Sequence, residues 1–162
     1  MRTSDYDVRV VPSVLDRLVD DDPRNSRDIQ GSRAESVRNL KRAVQQDLEV
    51  LLNSRNAFWN LPADFVEIGR SVLTFGLPEL SSYHISGAAE QTRLRQAVEN
   101  AILYFEPRLA ATNVLVLPGN TVERSLRLRI EAQLLLDPSP EAIAFDVIVP
   151  MMSREYQVKE SG

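Results

Sequence analysis

The chain contains no cysteine, a single histidine (His84) and only six glycines in 162 residues. Without cysteine, disulfides and thiolate metal sites are excluded outright. With one histidine there is no second imidazole to share a metal, and a Ser-His nucleophile would have to centre on His84. No G-x-S-x-G elbow supports one. His84 sits beside Tyr83 in a loop-like stretch and reads as structural. The glycines form no phosphate-cradling loop, and no H-E-x-x-H is present. No run approaches the roughly 20 apolar residues needed to span a bilayer. The start, MRTSDYDVRVVPSVLDRLVDDDP, lacks the apolar segment of a secretory signal, so a soluble cytoplasmic protein is expected.

Lysine is scarce too: of 19 basic residues only Lys41 and Lys159 are lysine. Arginine's planar fork suits bidentate contacts with carboxylates at protein interfaces, although a GC-rich genome gives the same bias. The net charge of −4 and pI near 5.1 argue against nucleic acid as the main partner. The 43% hydrophobic and 26% charged residues are ordinary for a globular chain. At this length one core burying roughly 70% of the unfolded surface is expected.

The first 32 residues differ from the rest. Val14, Leu15 and Leu18 form an apolar trio ahead of the acidic run Asp20 to Asp22, Pro23 and a polar linker. This reads as an N-terminal docking segment and linker, 1–32, ahead of a single domain, 33–162. From Arg33 to Leu52, Val37, Leu40, Val44, Leu48, Leu51 and Leu52 recur every three or four residues, the stripe of an amphipathic helix. A shorter helix is expected after Pro62, with Phe65, Val66 and Ile68 buried. Another runs from Ser86 or Gly87 through Leu94, Val98, Ile102 and Phe105, ending where Pro107 disfavours helical backbone at Glu106.

Then the period changes to two. Leu126, Leu128, Ile130, Ala132, Leu134 and Leu136 alternate with Ser125, Arg127, Arg129, Glu131 and Gln133, one dry face and one wet. Asn113 to Leu117 reads as the strand before it, and Ile143 to Val149 as the strand after. The expected fold is α+β, with several helices packed on a three-stranded antiparallel β-meander.

The pentapeptide FEPRL (105–109) places an acid and an arginine on either side of a fixed turn. A glycosidase needs two carboxyls roughly 5–10 Å apart, one of them able to donate a proton. Glu106 is a candidate for one, but no second acid stands out, and Arg108 favours the charged carboxylate. The other role of Glu106, Pro107 and Arg108 is geometric: to pair with a partner or to tie the helix end to the sheet. Spacing leaves those two open.

LDRL (15–18), DLEVLLNSR (47–55), SVLTFGLPELSS (71–82) and FEPRL (105–109), in that order, resemble the TssE family. These are small baseplate wedge proteins of type VI secretion systems, grouped with a tailed-phage wedge protein once labelled lysozyme-like. The resemblance runs from Leu15 to Val149. It implies a non-catalytic, cytoplasmic baseplate component without cofactor or small-molecule substrate. It further implies binding to the wedge subunits TssF and TssG, and a template for the first layer of contractile sheath. The Glu-Pro-Arg motif, here Glu106, Pro107 and Arg108, would grip the wedge's helical core bundle. Strands 113–117 and 143–149 are the candidates to be extended by a sheath strand, and Val14, Leu15 and Leu18 are a second docking candidate. The alternatives are a peptidoglycan-cleaving muramidase and a wedge protein of a phage tail or other contractile particle.

Overall fold

The computed structural model describes residues 33–56, 58, 64–78, 87–117, 125–150 and 155–161. Helix α1 spans Arg33–Asn53 and buries the expected stripe, Leu40, Val44, Leu48, Leu51 and Leu52, while Val37 is only half-buried. Helix α2, Ala88–Phe105, buries Leu94, Val98, Ala101 and Ile102. It stops because Pro107 excludes helical backbone at the preceding residue: Glu106 has φ −125° and ψ 76°, and its N–H makes the last helical bond, to Ile102 O at 2.9 Å. A short strand β1 (Arg55–Asn56) follows α1 and pairs in parallel with β2 (Leu77–Pro78).

The remaining strands are β3 (Leu109–Leu117), β4 (Ser125–Leu134), β5 (Glu141–Pro150) and β6 (Gln157–Glu160), one antiparallel sheet in the order β3-β4-β5-β6. The α+β class stands, but the sheet has four strands rather than three, and the described residues contain two α-helices. The fourth strand escaped periodicity because only four residues pair, with Val158 alone among them buried. Its presence makes 143–149 an interior strand, so only 113–117 of the two expected docking strands lies at an edge.

Apolar residues of β4 and β5, from Leu126 to Leu134 and Ile143 to Val149, meet the stripes of α1 and α2 in one buried cluster. Two helices thus cover one face of a sheet whose alternate residues, Arg127, Arg129, Glu131 and Gln133, face away. Phe145, Leu128, Ile130 and Leu134 are fully buried, each contributing on the order of 2–3 kcal/mol of burial.

The segment after Pro62 departs from expectation. Its described residues form two 3-10 turns, Ile68–Arg70 and Val72–Thr74, and leave Phe65 and Val66 about half exposed, with Ile68 half-buried. Ser71 explains the interruption. Its backbone is extended (φ −91°, ψ 167°), its hydroxyl donates to Ile68 O at 2.8 Å, and the same oxygen accepts from Leu73 N. A serine offering these local bonds ends one turn and starts the next instead of continuing a helix. Val14, Leu15, Leu18 and the whole 1–32 segment, like Tyr83 and His84, lie outside the described residues.

Candidate functional site

The FEPRL turn joins α2 to β3, and its charges face inward and sideways rather than straight into solvent. Glu106 is 3% exposed, Pro107 is exposed and Arg108 is half-buried. A buried carboxylate is costly unless it is paired and hydrogen-bonded, and Arg108 supplies that. Its Nε donates to Glu106 Oε1 at 2.6 Å, a terminal nitrogen donates to Oε2, and its backbone N–H donates to Oε1 at 3.2 Å. The turn between them is fixed by proline's locked φ and by Leu109 N–H to Glu106 O at 3.1 Å. Arg108 O then accepts from Leu135 N at 2.8 Å, sewing the turn to the far end of β4.

The same guanidinium reaches across to α1, where a terminal nitrogen donates to Asp47 Oδ2. Asp47 is half exposed, so the outer side of this pair meets water. Held first by the bond to Glu106 and then by Asp47, the guanidinium keeps its proton more tightly than an ordinary arginine, despite the opposing effect of burial.

Asp47 opens the DLEVLLNSR motif, but nothing local points to its pairing with Arg108. It lies 61 positions from Arg108 and reads as one more solvated acid on a helix. Gly76 supports the corner through its backbone. Its φ of +103° is a backbone region that side chains rarely adopt. A Cβ there would stand 2.5 Å from Ser54 O and 2.6 Å from Ser54 C. That close approach lets Leu77 N–H reach Ser54 O at 3.0 Å and start the β1–β2 pair. Asn56 adds a bond from its side-chain amide to Thr74 O at 2.9 Å.

The described parts of three motifs scattered along the chain, 47–55, 71–78 and 105–109, therefore converge. Asp47 meets Arg108, Ser54 meets Gly76, and Phe75 packs edge-on against Phe105 with centroids 5.2 Å apart. Arg70 lies over the Tyr104 ring at 5.8 Å, pinning the first 3-10 turn to the end of α2. Around this corner Leu103, Val72 and Leu73 are exposed, Val72 at 84%. Exposed apolar side chains beside a rigid charged turn suit a protein contact better than a solvated surface.

Chemically the corner offers little to a substrate. Both oxygens of Glu106 are engaged by Arg108. The cleft of about 390 Å³ on the polar face of the sheet is lined by Leu117, Arg127, Arg129, Asp146, Lys159 and Ser161 among others, and does not border Glu106. In that cleft Arg129 donates to Asp146 at 3.2 Å and Ser161 Oγ donates to Asp146 at 2.7 Å, so its central acid is likewise taken. Among the described residues, no group of three or more His, Asp or Glu side chains is placed to hold a metal ion. No helix among them is long and apolar enough to cross a membrane.

Compared with curated proteins, the chain has no match. A family model described as baseplate wedge protein gp25 matches residues 38–139, well over half of the chain and all three converging motifs. The chain thus belongs to the gp25 baseplate wedge family, which includes TssE, and so to the structural baseplate proteins of phage-tail-like systems.

Proposed function

We propose that this chain is the non-catalytic wedge adaptor of a type VI secretion baseplate, working in the cytoplasm. In this reading the Glu106-Pro107-Arg108 corner grips the wedge subunits TssF and TssG, and an edge of the sheet accepts a strand from the first sheath layer. The observation that carries the reading is the convergence of three motifs on one exposed, rigid corner. Glu106 is the buried anchor that aims the guanidinium. Pro107, Asp47 and the outer side of Arg108 are what a partner would touch. Leu103, Val72 and Leu73 supply apolar contact beside them. A pre-aimed arginine near exposed apolar groups suits the centre of an interface, where arginine is enriched among the residues that carry binding energy.

Muramidase activity draws no support from Glu106, whose oxygens are both occupied by Arg108. A general acid needs a protonated oxygen directed at the substrate.

Co-expression of the tagged chain with TssF and TssG, sized by light scattering, tests the proposal. The wild-type chain is expected to form a stable complex that Arg108→Lys weakens at least tenfold, since lysine keeps the charge but loses the fork. Circular dichroism of the variant should show an intact fold. A wild-type chain that captures neither subunit, or an Arg108→Lys chain that captures them fully, would sink the corner as the wedge contact. Clearing of purified cell wall that disappears in Glu106→Gln would point to the muramidase instead.

A further inference from the structure

The sheet has two edges, and they are closed very differently. In an antiparallel strand the N–H and C=O of one residue point to the same side, and successive residues alternate. Along the β6 edge the outward residues are Tyr156, just before the strand, then Val158 and Glu160. Asn53 takes both groups of Tyr156, accepting its N–H at 2.7 Å and donating to its carbonyl at 3.0 Å, while Gln45 donates to Val158 O at 2.8 Å. Helix α1 therefore lies along that edge, and its neutral amides take both groups of Tyr156 and the Val158 carbonyl as a neighbouring strand would.

On β3 the outward residues are Val114 and Val116. The Val114 N–H donates to Glu99 Oε1 on α2 at 3.2 Å, and Arg95, one turn earlier, donates to that same oxygen at 3.2 Å. Among the described residues, nothing takes up the carbonyl of Val114 or either backbone group of Val116. Glu99 Oε2 likewise has no partner among them.

We propose that β3 is the strand-accepting edge of this protein and that Glu99, braced by Arg95, is a latch across it. An incoming strand needs the Val114 N–H for its own carbonyl, so Glu99 must swing aside before pairing is complete. The occupant that fits is an extended segment of a partner chain carrying arginine or lysine where it passes Val114. That cation replaces the lost Val114 N–H as a partner of the carboxylate. Until such a segment arrives, the latch keeps this edge, whose groups at Val116 find no partner among the described residues, from pairing with a second copy of the same chain, the hazard of any open strand. The kink between Ala110 and Asn113, where the register shifts and Ala111 takes φ +50°, confines the open stretch to the β3 end after the bulge.

The identity of the incoming strand as sheath rests on the proposed function above; the latch does not. The full-length chain tests the latch by itself. Glu99→Ala should speed amide exchange at Val114 about tenfold, the loss of roughly one hydrogen bond. It should also increase self-association over the wild-type chain, seen as a concentration-dependent dimer in sedimentation. Adding Val116→Pro should abolish that dimer with an unchanged circular dichroism spectrum, because proline removes an outward N–H and no ladder bond. Unchanged Val114 exchange in Glu99→Ala, or a dimer that survives Val116→Pro, overturns the latch. With co-expressed sheath subunit, Val116→Pro should remove capture. Glu99→Ala should speed association several-fold by freeing the Val114 N–H, and also speed dissociation by removing the partner of the incoming cation. If Val116→Pro captures sheath as well as wild type does, β3 is not the accepting edge. If no variant captures sheath while the exchange and dimer results hold, the sheath reading fails and the latch stands.

Discussion

Helix α1 is fastened to the rest of the chain on two flanks, by opposite chemistry. On the flank facing β6, Lys41, Gln45 and Asn53 line up at helical spacing. Asn53 and Gln45 bond backbone groups, and Lys41 donates to Glu141 at 2.7 Å with Glu160 at 3.6 Å. On the other flank Asp47 meets Arg108, whose main commitment is to buried Glu106. The seam satisfies both backbone groups of Tyr156 and the Val158 carbonyl and lays the helix along the β6 edge. The charged corner keeps an exposed side, a rigid turn and a guanidinium already aimed. A small protein that must hold itself together and also hold others is served by keeping these tasks apart. The amide bonds of the seam depend little on salt and its lysine pair lies within the chain, while charges at a rim steer and select partners.

The sharpest way to break the comparison is to remove the countercharge at the corner. Arg108→Ala strands Glu106 as a buried, unpaired carboxylate and should cost about 3–5 kcal/mol, measurable by urea unfolding. A loss below about 1 kcal/mol would mean that Glu106 finds water or another donor and that the corner is not an internal tie. Gly76→Ala comes next, at about 3 kcal/mol. The new Cβ meets the Ser54 backbone at 2.5 Å in a backbone region alanine avoids. Because Gly76 positions β2, its loss should slacken the corner while leaving exchange in β6 unaltered.

On the other flank, Asn53→Ala should cost about 2 kcal/mol, since it leaves both backbone groups of Tyr156 unpaired beside a buried ring. Here hydrogen exchange is the discriminating readout. The amides of β6 should lose protection and those of β3 should keep it. Uniform loss across the sheet would show that seam and corner are one cooperative unit rather than two.

How much of this was legible in the sequence follows the same division. Both helices and the strands β4 and β5 were readable because burial imposes a period on them. The expected helix 33–52 is the observed Arg33–Asn53, and the alternation from Leu126 to Leu134 is the buried face of β4. The fold class followed from that change of period. The fourth strand did not, because β6 is held by amides from α1 and by pairing to β5, neither of which leaves an apolar pattern. The helix expected after Pro62 failed because Ser71 diverts the chain into two tight turns. Of the site, the trio 106–108 was visible as a motif, since proline between opposite charges is a local feature. Its inward pairing was not, because nothing local tells that Glu106 is buried or that Asp47 waits across the gap. Distance in sequence, not subtlety of chemistry, hid it.

The smallest expected effects separate the flanks by their response to charge. Asp47→Asn removes the exposed half of the corner while leaving the Glu106–Arg108 pair, and should cost no more than about 0.5–1 kcal/mol, as exposed ion pairs do. Its effect on wedge capture should exceed its effect on stability, because the carboxylate lies where a partner would touch. The seam has a different signature, in alkali. Tyr156 is raised above the usual tyrosine value of 10.0 by burial, with Arg55 over its ring pulling partly the other way. Lys41 is raised above 10.5 chiefly by its bond to Glu141. Both folded groups hold their protons more tightly than the unfolded chain does. The stability they contribute is therefore complete below about pH 10 and lost as pH rises through the folded values. Unfolding followed from pH 9 to 11 should show β6 losing exchange protection first, and Tyr156→Phe should flatten the decline. If instead the whole sheet opens together, the seam is no weaker in alkali than the core, and the separation of the two flanks is one of geometry alone.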